Sequence, residues 1–76
     1  MKLIEVIKEE LNLIDKNTEA LTEESKLKED LDVNDEEMSD LIASLEIRLD
    51  ISFDEKEIKN LKTVEDVITT VKSKYS

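Results

Sequence analysis

Residues 34–50 read NDEEMSDLIASLEIRLD, and the fold turns on this stretch. Met38, Leu41, Ile42, Leu45 and Leu49 recur at the spacing of one helix face. They make a single apolar stripe on a helix of about four turns. Glu36, Glu37, Asp40, Glu46 and Asp50 occupy the other faces. Asn34 is placed to cap this helix, with Glu37 three residues on as its return partner in a capping box, and Asp35 is an alternative cap. The acids Asp35, Glu36 and Glu37 fall in the first turn, where the helix dipole favours negative charge.

Working outward, Leu3, Ile4, Ile7, Leu11 and Ile14 form a second stripe, widened by Val6 and Leu13. It predicts a first helix over residues 2–14. Residues 15–30 have weak periodicity, so a long loop is expected there, and loops of that length in small domains are often functional. Leu21 and Leu27 are its isolated apolar anchors, and Thr18, Thr22 and Ser25 its capping or turn residues. On the other side, Ile51-Ser52-Phe53 is short and apolar. Asp54 and Glu57 then make a cap pair for a short helix over residues 54–60, with Ile58 and Leu61 as its apolar contacts. Thr63 and Asp66 repeat the capping-box spacing. Val64, Val67, Ile68, Val71 and Tyr75 predict a final helix over residues 64–75. Its β-branched residues lower helix propensity, so packing must hold it. Phe53 and Tyr75 read as core and helix-end packing. The expectation is an all-α bundle of three main helices plus one short one, with a long first loop, as a single domain over residues 1–76.

Composition narrows the chemistry. The chain has 76 residues, no cysteine, no histidine, no glycine and no proline. Disulfides, thiolate metal sites, histidine bases and glycine-rich phosphate loops are all excluded. Turns that need a positive φ must use Asn or Asp. Twenty-one acids against 11 bases give a formal charge of −10. Nucleic acid and anionic membrane surfaces are therefore unsuitable partners, whereas basic protein surfaces are suitable ones. No signal peptide pattern and no membrane span is visible, so a cytoplasmic monomer is expected.

The string Leu27-Lys28-Glu29-Asp30-Leu31 ahead of the central helix resembles the acyl carrier protein family. So do Leu41, Ile42, Leu45 and Glu46 within that helix, and the stretch from Phe53-Asp54-Glu55 through Leu61-Lys62-Thr63-Val64-Glu65-Asp66-Val67. The resemblance covers essentially the whole chain without a gap. It implies an acyl-carrier-type bundle, connected with fatty-acid, polyketide or related acyl metabolism. In that family the motif Gly-x-Asp-Ser-Leu opens the central helix, and its serine carries a 4'-phosphopantetheine arm. In register, this sequence places Asp32 at the glycine, Asn34 at the aspartate, Asp35 at the serine and Glu36 at the leucine. A carboxylate cannot form the same stable phosphodiester, so no arm is expected at the usual position.

The leading expectation is thus a non-enzymatic homologue that presents the acidic face of its central helix to basic enzyme surfaces. Asp35, Glu36, Asp40 and Glu46 are the residues expected on that face, with Met38 as an apolar contact at its edge. Ser39, one turn after Asp35, is the alternative attachment residue, at the cost of a shifted register. An acidic divalent-cation-responsive protein is the alternative of another class. Asp30, Asp32 and Asn34 imitate the start of a calcium loop, but Asp35 and Leu41 stand where that loop needs glycine and glutamate. No dedicated metal site is expected, and paired acids on a helix read first as a solvated face.

Overall fold

A computed structural model describes residues 2–75. Four helices follow in chain order: α1 (Leu3–Leu13), α2 (Asp35–Leu49), α3 (Glu55–Lys59) and α4 (Val64–Tyr75). No strand occurs among the described residues; one antiparallel bridge pairs Lys26 with Thr63. α1 packs against both α2 and α4. Among the described residues, no helix is long and apolar enough to cross a membrane.

Each helix starts and stops for a local reason. Asn34 caps α2: its Oδ1 accepts from the Glu37 N–H at 2.8 Å, and Glu37 Oε1 accepts from the Asn34 N–H at 3.0 Å. Of the two candidate caps, Asn34 is the one used. Asp54 and Glu57 repeat the reciprocal pair ahead of α3, at 2.8 and 2.9 Å. Ahead of α4, Thr63 Oγ1 accepts from the Asp66 N–H, and Asp66 Oδ2 accepts from both the Lys62 and Thr63 N–H groups. These bonds satisfy backbone donors that the first turn of a helix leaves open.

Among the described residues, the three with positive φ are all aspartates: Asp15 (61°), Asp32 (54°) and Asp50 (54°). Without glycine, Asp is one of the few residues that enters the left-handed region at modest cost. Asp15 and Asp50 terminate α1 and α2. After each, the next residue's N–H reaches back five positions, Lys16 to Leu11 O at 3.0 Å and Ile51 to Glu46 O at 3.1 Å. This is the Schellman closure, which satisfies carbonyls left open at a helix end.

The core gathers Val6, Ile7 and Leu11 of α1, the predicted stripe of α2, and Val64, Val67, Ile68 and Val71 of α4. The long loop contributes Leu21, Leu27, Leu31 and Val33, all buried. Its turns use the predicted residues: Thr22 Oγ1 accepts from the Glu24 N–H, and the buried Ser25 Oγ accepts from the Thr22 N–H. Loop and bundle are also joined through the backbone. The Leu27 N–H donates to Lys62 O at 2.9 Å, and the Val64 N–H donates to Ser25 O at 3.0 Å.

One expectation about packing needs correction. Leu13 does not widen the core face of α1; it is 76% exposed. The inward position near that end goes to Glu10 instead, which is 9% exposed and paired with Arg48 of α2 at 3.0 Å. A long side chain with a cation to meet can take a helix position that periodicity alone would leave polar and outside. Tyr75, expected to pack at a helix end, does so while 59% exposed. Its hydroxyl donates to Leu49 O at 2.7 Å, so it closes the end of α2 with its polar tip. Phe53 is buried as expected, with Lys74 Nζ 5.4 Å from its ring centre.

The α4 cap generates a pH prediction. The Thr63 N–H most of all, with smaller help from the Lys62 N–H, the Thr63 hydroxyl and the Lys62 charge, holds the Asp66 carboxyl below its ordinary 3.8 against the opposing effect of burial. A lowered native pKa contributes stability above the unfolded value, and this is lost as pH falls through the native value. Asp66→Asn should cost about 1 kcal/mol near pH 7, the difference between a charged and a neutral hydrogen-bond acceptor. The deficit relative to the parent should shrink as pH drops below 3.8. Urea unfolding of both proteins at pH 7 and pH 3 reads it, and an unchanged gap would contradict the assignment.

Candidate functional site

The turn that leads into α2 is built by residues on both sides of the long loop. Asp32 adopts φ 54°, the Val33 N–H returns to Leu27 O at 3.0 Å, and Val33 is buried. Asn34 then caps the helix, and Asp35 is its first residue. Lys16, just past α1, reaches across to this turn. Its Nζ donates to Asp32 O at 2.7 Å and pairs with Glu37 Oε1 at 2.9 Å. One ammonium therefore holds both the left-handed residue and the capping glutamate. The Asn34 N–H, then Lys16, keep the Glu37 carboxyl below its ordinary value.

Asp35 is exposed, and its Oδ1 accepts from Lys28 Nζ at 2.7 Å. That hydrogen bond and the lysine charge hold its carboxyl below the usual carboxylate range. Glu36 and Asp40 are exposed on the outer face of α2. Ile47 extends the same face and is 84% exposed. It lies seven residues after Asp40 and eleven after Glu36, which is helical spacing for one face.

The remaining predicted face residues are placed differently. Glu46 is half-buried, and its Oε2 accepts from the Phe53 N–H at 2.8 Å, so it anchors the α2–α3 connection. Met38 is buried rather than standing at the edge of the acidic face. It lines an open groove of about 810 Å³ between the start of α2 and the α3–α4 corner. Ser39 is exposed on α2 and lines the same groove.

The loop acids are used locally. Asp30 Oδ2 accepts from the Lys26 N–H, Glu29 pairs with Lys26, and Asp35 pairs with Lys28. Among the described residues, no three acids converge on a position that could hold a metal ion.

Lys16 and Ile47 were not apparent as site residues from the sequence. A helical wheel already places Ile47 beside Asp40, but it falls outside the apolar stripe. Nothing local marks Lys16, because its partners are 16 and 21 residues away along the chain.

A solved structure from Mycobacterium tuberculosis, described as a candidate acyl carrier protein, is similar to this chain at a TM-score of 0.86 and 29% identity. The similarity covers 95% of this chain and 97% of the other. The four-helix architecture is thus of the acyl-carrier type. No family model and no curated protein sequence matches the chain.

Replacing the Lys16 ammonium by an apolar tip leaves Asp32 O and Glu37 without their cation. Lys16→Met should lower stability by about 1.5–3 kcal/mol, the range for hydrogen bonds to charged groups. Urea unfolding measures this, and amide shifts of residues 32–37 should report the loosened turn. Unchanged shifts there would remove the role assigned to Lys16.

Proposed function

We propose that this chain is an acyl carrier protein homologue that works in acyl metabolism by docking, without a phosphopantetheine arm at Asp35. The observation that carries this reading is the turn before α2. Asp32 stands where the family has glycine, and it holds the left-handed conformation that suits glycine. Asn34 stands at the family's aspartate and caps the helix. These two positions support the gapless register that puts Asp35 at the serine. A carboxylate there, tied to Lys28, offers no hydroxyl for a phosphodiester.

The docking surface is the outer face of α2, with Glu36, Asp40 and the exposed Ile47. Asp35 stands at its edge. Such a surface is suited to a basic enzyme patch with an apolar contact at one end, and its charge would mainly speed encounter. Glu46 contributes by holding the α2–α3 connection rather than by offering a free charge. The protein acts as a cytoplasmic monomeric docking or regulatory module rather than an enzyme.

The competing reading, a working carrier modified at Ser39, is kept because Ser39 is exposed and reachable. Incubation with coenzyme A, magnesium and a permissive phosphopantetheinyl transferase, followed by intact mass, separates the two. The parent protein should show no adduct, and Asp35→Ser should gain one if the neighbouring changes are tolerated. An adduct on the parent mapped to Ser39 would overturn the arm-less reading.

Docking is tested on the enzymes encoded beside its gene. Glu36→Lys and Asp40→Lys together should slow association by about tenfold or more at low salt, with a smaller effect at high salt. Surface plasmon resonance gives both rates. Binding that survives charge reversal unchanged would rule this face out.

A further inference from the structure

The apolar stripe of α1 runs further than the core that covers it. Val6, Ile7 and Leu11 are buried, but Leu3 and Ile4, in the first turn, are only partly so. With Ile68 of α4 they line a cleft of about 310 Å³ between the start of α1 and α4. Lys2, just ahead of α1, and Lys72, one turn beyond Ile68 on α4, line it as well. So does Glu23 of the long loop. That loop supplies apolar residues to the core elsewhere, but here it supplies a carboxylate, which cannot be buried over apolar surface without a partner. The cleft therefore stays open. Lys2 and Lys72 are exposed, and neither belongs to an ion pair among the described residues. In a chain of 21 acids and 11 bases, two lysines against one acid around open apolar surface is a local reversal of sign.

We propose that the α1–α4 cleft is a second docking surface, for an acidic amphipathic segment of a partner protein that presents an apolar side chain flanked by carboxylates. The apolar side chain covers Leu3, Ile4 and Ile68, and the carboxylates meet Lys2 and Lys72. The volume is at the small end for ligand pockets, so the cleft suits one or two side chains of a protein segment rather than a whole small molecule. Each lysine can lay its methylenes along the apolar surface while its ammonium follows a carboxylate at the rim. The charge selects partners more than it tightens them, because a basic segment would set like charges against both lysines. At physiological salt, charges beyond about 8 Å are largely screened, so a segment confined to the cleft meets the lysines first. An anionic bilayer is an extended surface, and it would also meet Glu5 and Glu65, exposed on the same two helices.

This surface goes beyond the docking reading and does not depend on it, since no residue of α2 lines the cleft. Its sign is opposite to that of the outer face of α2, and the two share no residue, so one molecule can bridge a basic partner and an acidic one. The test is a titration of the whole protein at 0.15 M salt with a short synthetic peptide whose leucine stripe is bordered by glutamates. The same peptide with lysines in place of the glutamates is the comparison, and amide and methyl shifts are followed. Saturable shifts should appear at the methyl groups of Leu3, Ile4 and Ile68 and at the amides of Lys2 and Lys72. The glutamate peptide should bind about tenfold or more tightly than the lysine peptide. Lys2→Glu with Lys72→Glu should weaken it by about tenfold or more, with the urea midpoint close to the parent's because both side chains are exposed, whereas Glu23→Gln should tighten it. Charge reversal at Glu36 and Asp40 should leave the cleft shifts in place, so failure of docking and failure of this surface are distinguishable. Equal binding of the two peptides, or indifference to the lysine changes, would overturn the proposal. Shifts confined to the groove beside Met38, which Lys26, Lys28, Lys59 and Lys62 line, would do the same. So would cleft shifts that grow with protein concentration alone, which would make a second copy the occupant, or binding only to vesicles containing phosphatidylglycerol, which would make it a membrane surface.

Discussion

Leu27 has no exposed surface although it sits in the middle of a long loop, and the placement of α2 depends on it. Its N–H bonds to Lys62 beside α4, and its C=O receives Val33 just ahead of α2. One residue thus joins the loop, the α3–α4 corner and the approach to the central helix. A chain this short has little apolar surface to bury, so a loop of this length is affordable only if it supplies core residues. Leu21, Leu27, Leu31 and Val33 do so. The loop is then a packed wall of the bundle rather than a tether.

That wall determines what the start of α2 can do. Lys16 fixes the turn from the α1 side, and Lys28 meets Asp35 from the loop side. The result is a helix start with its acids partly matched on the groove side and unmatched on the outer side, at Glu36 and Asp40. The same helix therefore separates two surfaces: an acidic one with Ile47 at its end, and a lysine-lined groove floored by Met38. Exposed ion pairs contribute little stability individually, so their importance here is in shaping where charge remains free.

Much of the fold was legible because the signals were local. Capping residues at Asn34, Asp54 and Thr63 and the apolar stripes of α2 and α4 depend only on spacing within one helix. The need for Asp at positive φ follows from the absence of glycine, and Asp15, Asp32 and Asp50 meet it. The misplacement at Leu13 has a physical cause. Periodicity assigns a face, but the neighbouring helices decide how much of that face is covered. Around α1 the paired Glu10 and Arg48 take up room on the inner side, and Leu13 is left outside. Glu46 shows the converse: it reads as a free acid and is held by a backbone N–H seven residues later.

By itself the sequence determined the helices, their caps and the acidic surplus. These are properties of single residues and short spacings, and they survive any arrangement of the helices. Only the tertiary structure decided which acids stay free. Lys28 reaches Asp35, Lys16 reaches Glu37 and Arg48 reaches Glu10 only after the loop has packed and α1 has docked. The gathering of Lys26 and Lys28 with Lys59 and Lys62 is likewise a product of folding, since some thirty residues separate the two pairs. Electrostatic character depends on distance through space, and the chain order does not contain it.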